Sequence, residues 1–196
     1  MKKLLLSISI ILFLCSSSYA TVIFSDDFED DLSQWTGKSG GSYSAQIVAD
    51  PLQSDKAINF SAIASAGDIF TSATAFSAGT YWLSFDYLGS PVSLDSGGYV
   101  GISVGLPGSH TWLWATGTVS GADDVLIDDG TWHSYTFMFN TAYSFHLMIE
   151  DHISPAANAY FDNISLSDTA PVPEPATMML FGLGLLGLAG LSRRKK

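Results

Sequence analysis

Tyr81-Trp82-Leu83-Ser84-Phe85-Asp86-Tyr87 places large side chains at the odd positions Tyr81, Leu83, Phe85 and Tyr87, and Ser84 and Asp86 between them. A period of two is the signature of a strand with one face buried and one face wet. Working outward, Tyr99 to Val104, Trp132 to Phe139, Ser144 to Glu150 and Ala159 to Leu166 read as further strands, each bounded by Gly, Pro, Asn or Asp. Shorter strands are expected at Val22 to Phe24, Gln46 to Ala49, Ala57 to Phe60, Asp68 to Thr71 and Thr111 to Trp114. No long stretch repeats at 3.6 residues. Many short strands separated by turns predict an all-β domain, a jelly-roll-like β-sandwich, over residues 21–168.

The charge of this domain is lopsided. Residues 21–170 hold 18 acidic side chains against Lys38 and Lys56, a net charge of −16. Such a surface repels phosphate, so nucleic acid is excluded as a partner, while cations and hydrated polysaccharide are compatible with it. The single cysteine, Cys15, lies ahead of this domain, so the domain has no disulfide and relies on its core.

Both ends of the chain are apolar segments with basic flanks. Met1-Lys2-Lys3, the apolar run Leu4 to Leu14 and the small residues up to Ala20 form a secretory signal peptide over residues 1–20, with signal peptidase expected to cut after Ala20. Leu14 is too bulky for the residue preceding a lipidated cysteine, which argues against a lipoprotein at Cys15. At the other end, a linker over residues 169–175 contains Pro173-Glu174-Pro175. An apolar segment over residues 176–191 and the basic tail Ser192-Arg193-Arg194-Lys195-Lys196 follow it. Sixteen helical residues span about 24 Å, short for a ~30 Å hydrocarbon core, and the stems of Arg193 and Arg194 extend the reach. The segment reads as a short transmembrane helix. The basic tail stays in the cytoplasm by the positive-inside tendency, which puts the acidic domain outside.

Pro173-Glu174-Pro175, the glycine-rich apolar segment and the cluster Arg193, Arg194, Lys195 and Lys196 together resemble the PEP-CTERM sorting signal of Gram-negative bacteria. The resemblance implies recognition by an exosortase, a membrane cysteine transpeptidase, and release or transfer to the cell surface. A plain C-terminal membrane anchor is the alternative. A second resemblance concerns the two ends of the domain, Phe28-Glu29-Asp30-Asp31-Leu32-Ser33-Gln34-Trp35 and Tyr160-Phe161-Asp162-Asn163-Ile164-Ser165-Leu166. They are similar to the ends of galactose-binding-like carbohydrate-binding modules, where these segments lie side by side and often hold a structural calcium ion. Carried over, the resemblance implies Glu29 and Asp162 near Ca2+, with Asp27 as a helper.

Two motif matches lack the context their chemistry needs. Gly182, Gly184 and Gly187 spell a dinucleotide fingerprint, but no strand precedes them and no acid follows at the ribose distance. Gly101-Ile102-Ser103-Val104-Gly105 matches a nucleophile elbow, yet it lies within an alternating strand and runs into Leu106-Pro107-Gly108 where a helix is required. Ser103 is therefore expected to be a solvent-facing strand residue. His110, His133, His146 and His152 are dispersed, and acidic pairs are too abundant to mark a glycosidase. Aromatics beside polar turns favour binding over catalysis, with Trp112 and Trp114 expected on one strand face as ligand-stacking rings. Tyr99, Trp82, Trp132 and Tyr143 are further candidates. The resulting expectation is an exported, non-catalytic extracellular-matrix or polysaccharide-binding protein. A purely structural matrix protein and a polysaccharide hydrolase are the alternatives.

Overall fold

The computed structural model describes residues 21–36, 45–60, 67–71, 76–91, 97–106, 109–117, 123–151 and 159–170. The expected signal peptide and the tail from residue 171 lie outside these, as does His152. Residues Thr21–Thr169 form one compact unit.

Twelve strands follow one another: β1 (Val22–Asp26), β2 (Trp35–Thr36), β3 (Ala45–Ala49), β4 (Lys56–Phe60), β5 (Gly67–Thr71), β6 (Gly79–Gly89), β7 (Gly98–Leu106), β8 (Ser109–Gly117), β9 (Asp124–Val125), β10 (Trp132–Thr141), β11 (His146–Asp151) and β12 (Ala159–Ser167). They make two six-stranded sheets. The first runs β10-β6-β12-β4-β3, with β1 also paired to β12, and the second runs β2-β5-β11-β7-β8-β9. From β5 to β7, and again from β9 to β12, the chain changes sheet at each step apart from the β7–β8 hairpin and the short β9. That alternation wraps the sandwich into a jelly roll. All ten expected strands are present. The two additional ones, β2 and β9, are two residues long, too short for any periodicity to reveal.

Alternation in β6 sends Tyr81, Leu83, Phe85 and Tyr87 into the core and leaves Trp82, Ser84 and Asp86 on the outer face. Strand β10 pairs with β6 in continuous register, and Tyr135, Phe137 and Phe139 join the same core. Leu147 and Ile149 of β11 close it from the second sheet. Edge-on and tilted ring contacts fill the core, such as Tyr81 to Phe145 at 5.3 Å and Phe24 to Trp35 at 5.5 Å. Each fully buried ring contributes about 1.5–3 kcal/mol of transfer free energy, which is how a domain with no disulfide is held. The two ends of the domain meet: Thr21 N donates to Thr169 Oγ1 at 3.1 Å and Asp168 N to Thr21 O at 3.3 Å.

Candidate functional site

The face of the second sheet turned away from the core holds two half-buried aromatic rings, Tyr99 and Trp112, among neighbours that are buried, Asp68, Phe70, Ser103, Met148 and Glu150. Cross-strand register aligns Asp68, Glu150, Tyr99 and Gly117 in one row. Phe70, Met148, Gly101 and Ala115 form the next, and His146, Ser103 and Trp112 a third. Two glycines let the aromatic rings lie down on the sheet. A Cβ on Gly117 would come within 2.4 Å of the Tyr99 ring, and one on Gly101 within 2.7 Å of Trp112. The half-buried rings of Tyr99 and Trp112 are neighbours, with centroids 6.2 Å apart and planes at 41°. Burial, and then the Glu150 carboxylate beside it, raises the Tyr99 phenol above its usual pKa, so it stays a hydrogen-bond donor at neutral pH. Flat rings offer the C–H face of a sugar a stacking surface.

The expectation that Trp112 and Trp114 share a face is corrected here. The ladder between β7 and β8 slips by one residue: Ile102 pairs with Trp114 and Ser103 with Trp112, leaving Leu113 as a bulge. Ile102 belongs to the core, so Trp114 follows it inward and stacks on Phe139 at 5.3 Å and 21°. Trp112 remains outside. Ser103 also departs from expectation: it is a strand residue on the outward face, yet it is fully buried rather than solvent-facing.

Glu29 and Asp162, expected as neighbours, are brought within electrostatic reach of each other on the first sheet. Strand β12 changes partner here, from β4 at Tyr160 and Phe161 to β1 at Ile164 to Ser167. A bulge fills the gap, with Asn163 at φ 49°. Beyond β1, Phe28 also has a positive φ of 52°, a strained conformation for an aromatic residue, maintained because its ring is fully buried. This places Glu29 over the start of β4, where Glu29 Oε1 accepts Lys56 N at 2.9 Å and Glu29 O accepts Lys56 Nζ.

The turn from Asp50 to Asp55 folds across the same face. Asp50 Oδ1 accepts Trp132 Nε1 from the far edge strand at 3.2 Å. Asp55 thereby joins Glu29, Asp86 and Asp162, and none of Asp50, Asp55 and Asp86 is marked by any sequence motif. Asp162 is 4% exposed. Burial first, and then the charges of Asp55, Asp86 and Glu29, raise its carboxyl to about 7, against the backbone hydrogen bond from Asn163. A hydrogen bond between the Glu29 and Asp55 carboxyls raises Glu29 and lowers Asp55.

The donor chemistry of this cluster suits a hard cation, which takes six to eight oxygens. Among the described residues, however, no three such side chains converge as a metal's ligand set. The carboxylates attract positive charge, and Lys56 Nζ, 4.0 Å from Glu29 Oε2, supplies some of it. Asp27 adjoins them, its Oδ1 accepting Glu29 N at 3.3 Å. It lines an acidic cleft of about 580 Å³ with Asp26, Asp30, Asp31 and Asn163, and Asn163 Nδ2 donates to both Asp86 and Asp162.

Of the four histidines, the structure describes the side chains of His133 and His146. His133 Nε2 contacts both Asp129 oxygens at 3.0 Å and Thr131 Oγ1 at 3.2 Å, so a single nitrogen serves every partner and the group caps a turn. His146 Nδ1 lies 3.0 Å from Thr71 O. Pro173, Glu174, Pro175 and the basic cluster Arg193 to Lys196 lie outside the described residues.

Residues 171–195 match the PEP-CTERM protein-sorting motif. No curated protein sequence matches the chain. Solved structures do. CBM22-2, a xylan-binding domain of Paenibacillus barcinonensis Xyn10C, has 13% identity and a TM-score of 0.52, over 74% of this chain and 99% of that one. The C-terminal family 22 carbohydrate-binding module of Clostridium thermocellum Xyn10B has 11% identity and a TM-score of 0.54, over 78% and 96%. The fold resembles that of carbohydrate-binding modules. A family 11 module of the C. thermocellum cellulase Lic26A-Cel5E extends the likeness, at 13% identity and a TM-score of 0.50 over 80% and 99%. The chain thus joins a carbohydrate-binding-module-like sandwich to a PEP-CTERM sorting motif.

Proposed function

We propose that this is an exported, non-catalytic polysaccharide-binding protein of the cell surface or extracellular matrix, whose ligand stacks on Tyr99 and Trp112. The observation that carries the reading is that ring pair, laid on Gly117 and Gly101 with Glu150 in register beside Tyr99. The similarity to modules named for binding xylan and other carbohydrates supports it. On this reading, signal peptidase releases the N-terminus, and exosortase processes the tail near Pro173-Glu174-Pro175. The membrane holds the chain only until then. Affinity electrophoresis of the mature protein through gels containing xylan, β-glucan or acidic exopolysaccharide tests the binding. Retardation in at least one gel, lost on Trp112→Ala, is the expected result, and free migration in every gel overturns the proposal.

For calcium, the support is the chemistry of the Glu29, Asp55 and Asp162 carboxylates. We propose that such an ion would bind there by relieving their mutual repulsion, with Asp27 as a helper beside Glu29.

A further inference from the structure

The outward face of the first sheet is divided. Its upper part holds Asp86 and Asp162 under the Asp50–Asp55 turn. Below them, Met138, Trp82, Ser167 and Val22 form one row across four strands. The rows on either side of it, from Thr136 to Ser25 and from Asn140 to Thr80, contain only serine, threonine and asparagine. Their hydroxyls and amides pair with one another, Ser84 Oγ with Thr136 Oγ1 at 2.9 Å and Asn140 Nδ2 with Thr80 Oγ1 at 2.6 Å. In a domain with 18 acidic side chains, three adjacent rows without a charge are a distinct surface. Large apolar groups are exposed on it and at its lower rim: Met138 at 62%, Val22 at 55%, Ile23 at 44% and Tyr143 at 62%.

This surface lies where the chain leaves for the tail. Ser167, in the middle of the row, ends β12, and the apolar segment begins nine residues later at Ala176. Nine extended residues reach at most about 32 Å, so once that segment is in the bilayer this end of the sandwich is held close to the lipid. Strand β1 begins at the same end, and β10 finishes there before Tyr143. Tyr99 and Trp112 lie on the other sheet, on its face turned away from the core, and so across the sandwich from Met138 and Trp82. The remaining acidic surface of the domain is repelled by anionic headgroups, which leaves the uncharged face as the one able to approach them.

We propose that, while the tail is inserted, the Met138–Trp82–Val22 face rests on the outer surface of the bilayer and turns the Tyr99–Trp112 pair away from it. Apolar side chains with an indole and a phenol at the rim are the composition that settles at a lipid headgroup boundary. The occupant is lipid, and the inference rests on the tail inserting, independently of what the aromatic pair binds.

The test uses the mature full chain, which has no cysteine once Cys15 is removed with the signal. It is reconstituted into vesicles of phosphatidylethanolamine with a minority of phosphatidylglycerol, doped with a spin-labelled phospholipid. A fluorophore is placed on Met138→Cys or, as reference, on Gln53→Cys in the exposed turn over the upper part of the same face. Severalfold stronger quenching by the spin-labelled lipid at position 138 than at 53 is expected. Equal quenching at both positions overturns the proposal. Shielding of position 138 from aqueous iodide without lipid quenching also overturns it and assigns the face to a second copy of the chain. A chain that does not float with the vesicles overturns it at the tail, leaving polysaccharide retardation to be judged separately.

Discussion

Trp112 and Trp114 are two residues apart on β8 and face opposite sides of their sheet, because the ladder to β7 skips Leu113. The bulge separates a surface ring from a core ring, and the two substitutions are expected to have different effects. Trp112→Ala should weaken polysaccharide binding at least about tenfold, the scale of a lost aromatic anchor, and lower the melting temperature less than Trp114→Ala does. Trp114→Ala removes the stacking partner of Phe139 and should cost about 2–4 kcal/mol of stability. Gel retardation and thermal unfolding of both variants separate the roles, and similar destabilisation by both would refute the assignment.

The Asp162 carboxyl, raised to about 7 by burial and by Asp55, Asp86 and Glu29, gives stability a defined pH dependence. The unfolded chain releases this proton near pH 4, whereas the folded chain keeps it to about 7. Folding therefore takes up a proton in that window, and the contribution is lost as pH rises through it. Asp162→Asn should flatten this slope and be more stable than the parent at pH 8, by about 2 kcal/mol after allowance for solvent screening. Melting curves of both proteins at pH 5 and pH 8 check the sign.

Protons and divalent cations compete for the same carboxylates. Millimolar calcium is expected to raise the melting temperature at pH 8 by a few degrees, with a smaller effect at pH 5, where the Asp162 carboxyl is protonated. Chelator should reverse the rise, and Asp162→Asn should reduce it. A melting temperature indifferent to calcium at pH 8 removes the ion from this site.

Tyr87 OH donates to Asp128 Oδ1 at 2.8 Å inside a cradle that leaves no room at Gly89. A Cβ there would sit 1.9 Å from Asp128 Oδ1 and 2.6 Å from the phenol oxygen. Burial, and then Asp128, raises the Tyr87 phenol further, so it remains protonated and the bond persists through alkaline pH. Gly89→Ala should break it and cost about 2–4 kcal/mol, while Tyr87→Phe should cost about 1–2 kcal/mol. Urea denaturation would measure both, and an unchanged midpoint for Gly89→Ala would contradict the packing.

The strands were legible because their evidence is local: Tyr81, Leu83, Phe85 and Tyr87 alternate within seven residues, and a buried face demands that alternation. The candidate sites were only partly legible, since each depends on register between distant segments. Glu29 and Asp162 came from the likeness of the domain's two ends to known modules. Asp55 and Asp86 carried no comparable signal, and reach the cluster through a turn pinned by Trp132 and through pairing of β6 with β12. Glu150 appeared as one acid among many until pairing set it beside Tyr99.

The sequence by itself determined the all-β class, the net charge of the domain and the sorting tail, because composition and short-range period report them directly. Tertiary structure decided which aromatics face outward, which carboxylates crowd together and which part of the first sheet's outward face carries no charge. Strand pairing and bulges set those relations. A shift of one residue moves a side chain from one face of a sheet to the other, and no local pattern around Leu113 or Asn163 announces it.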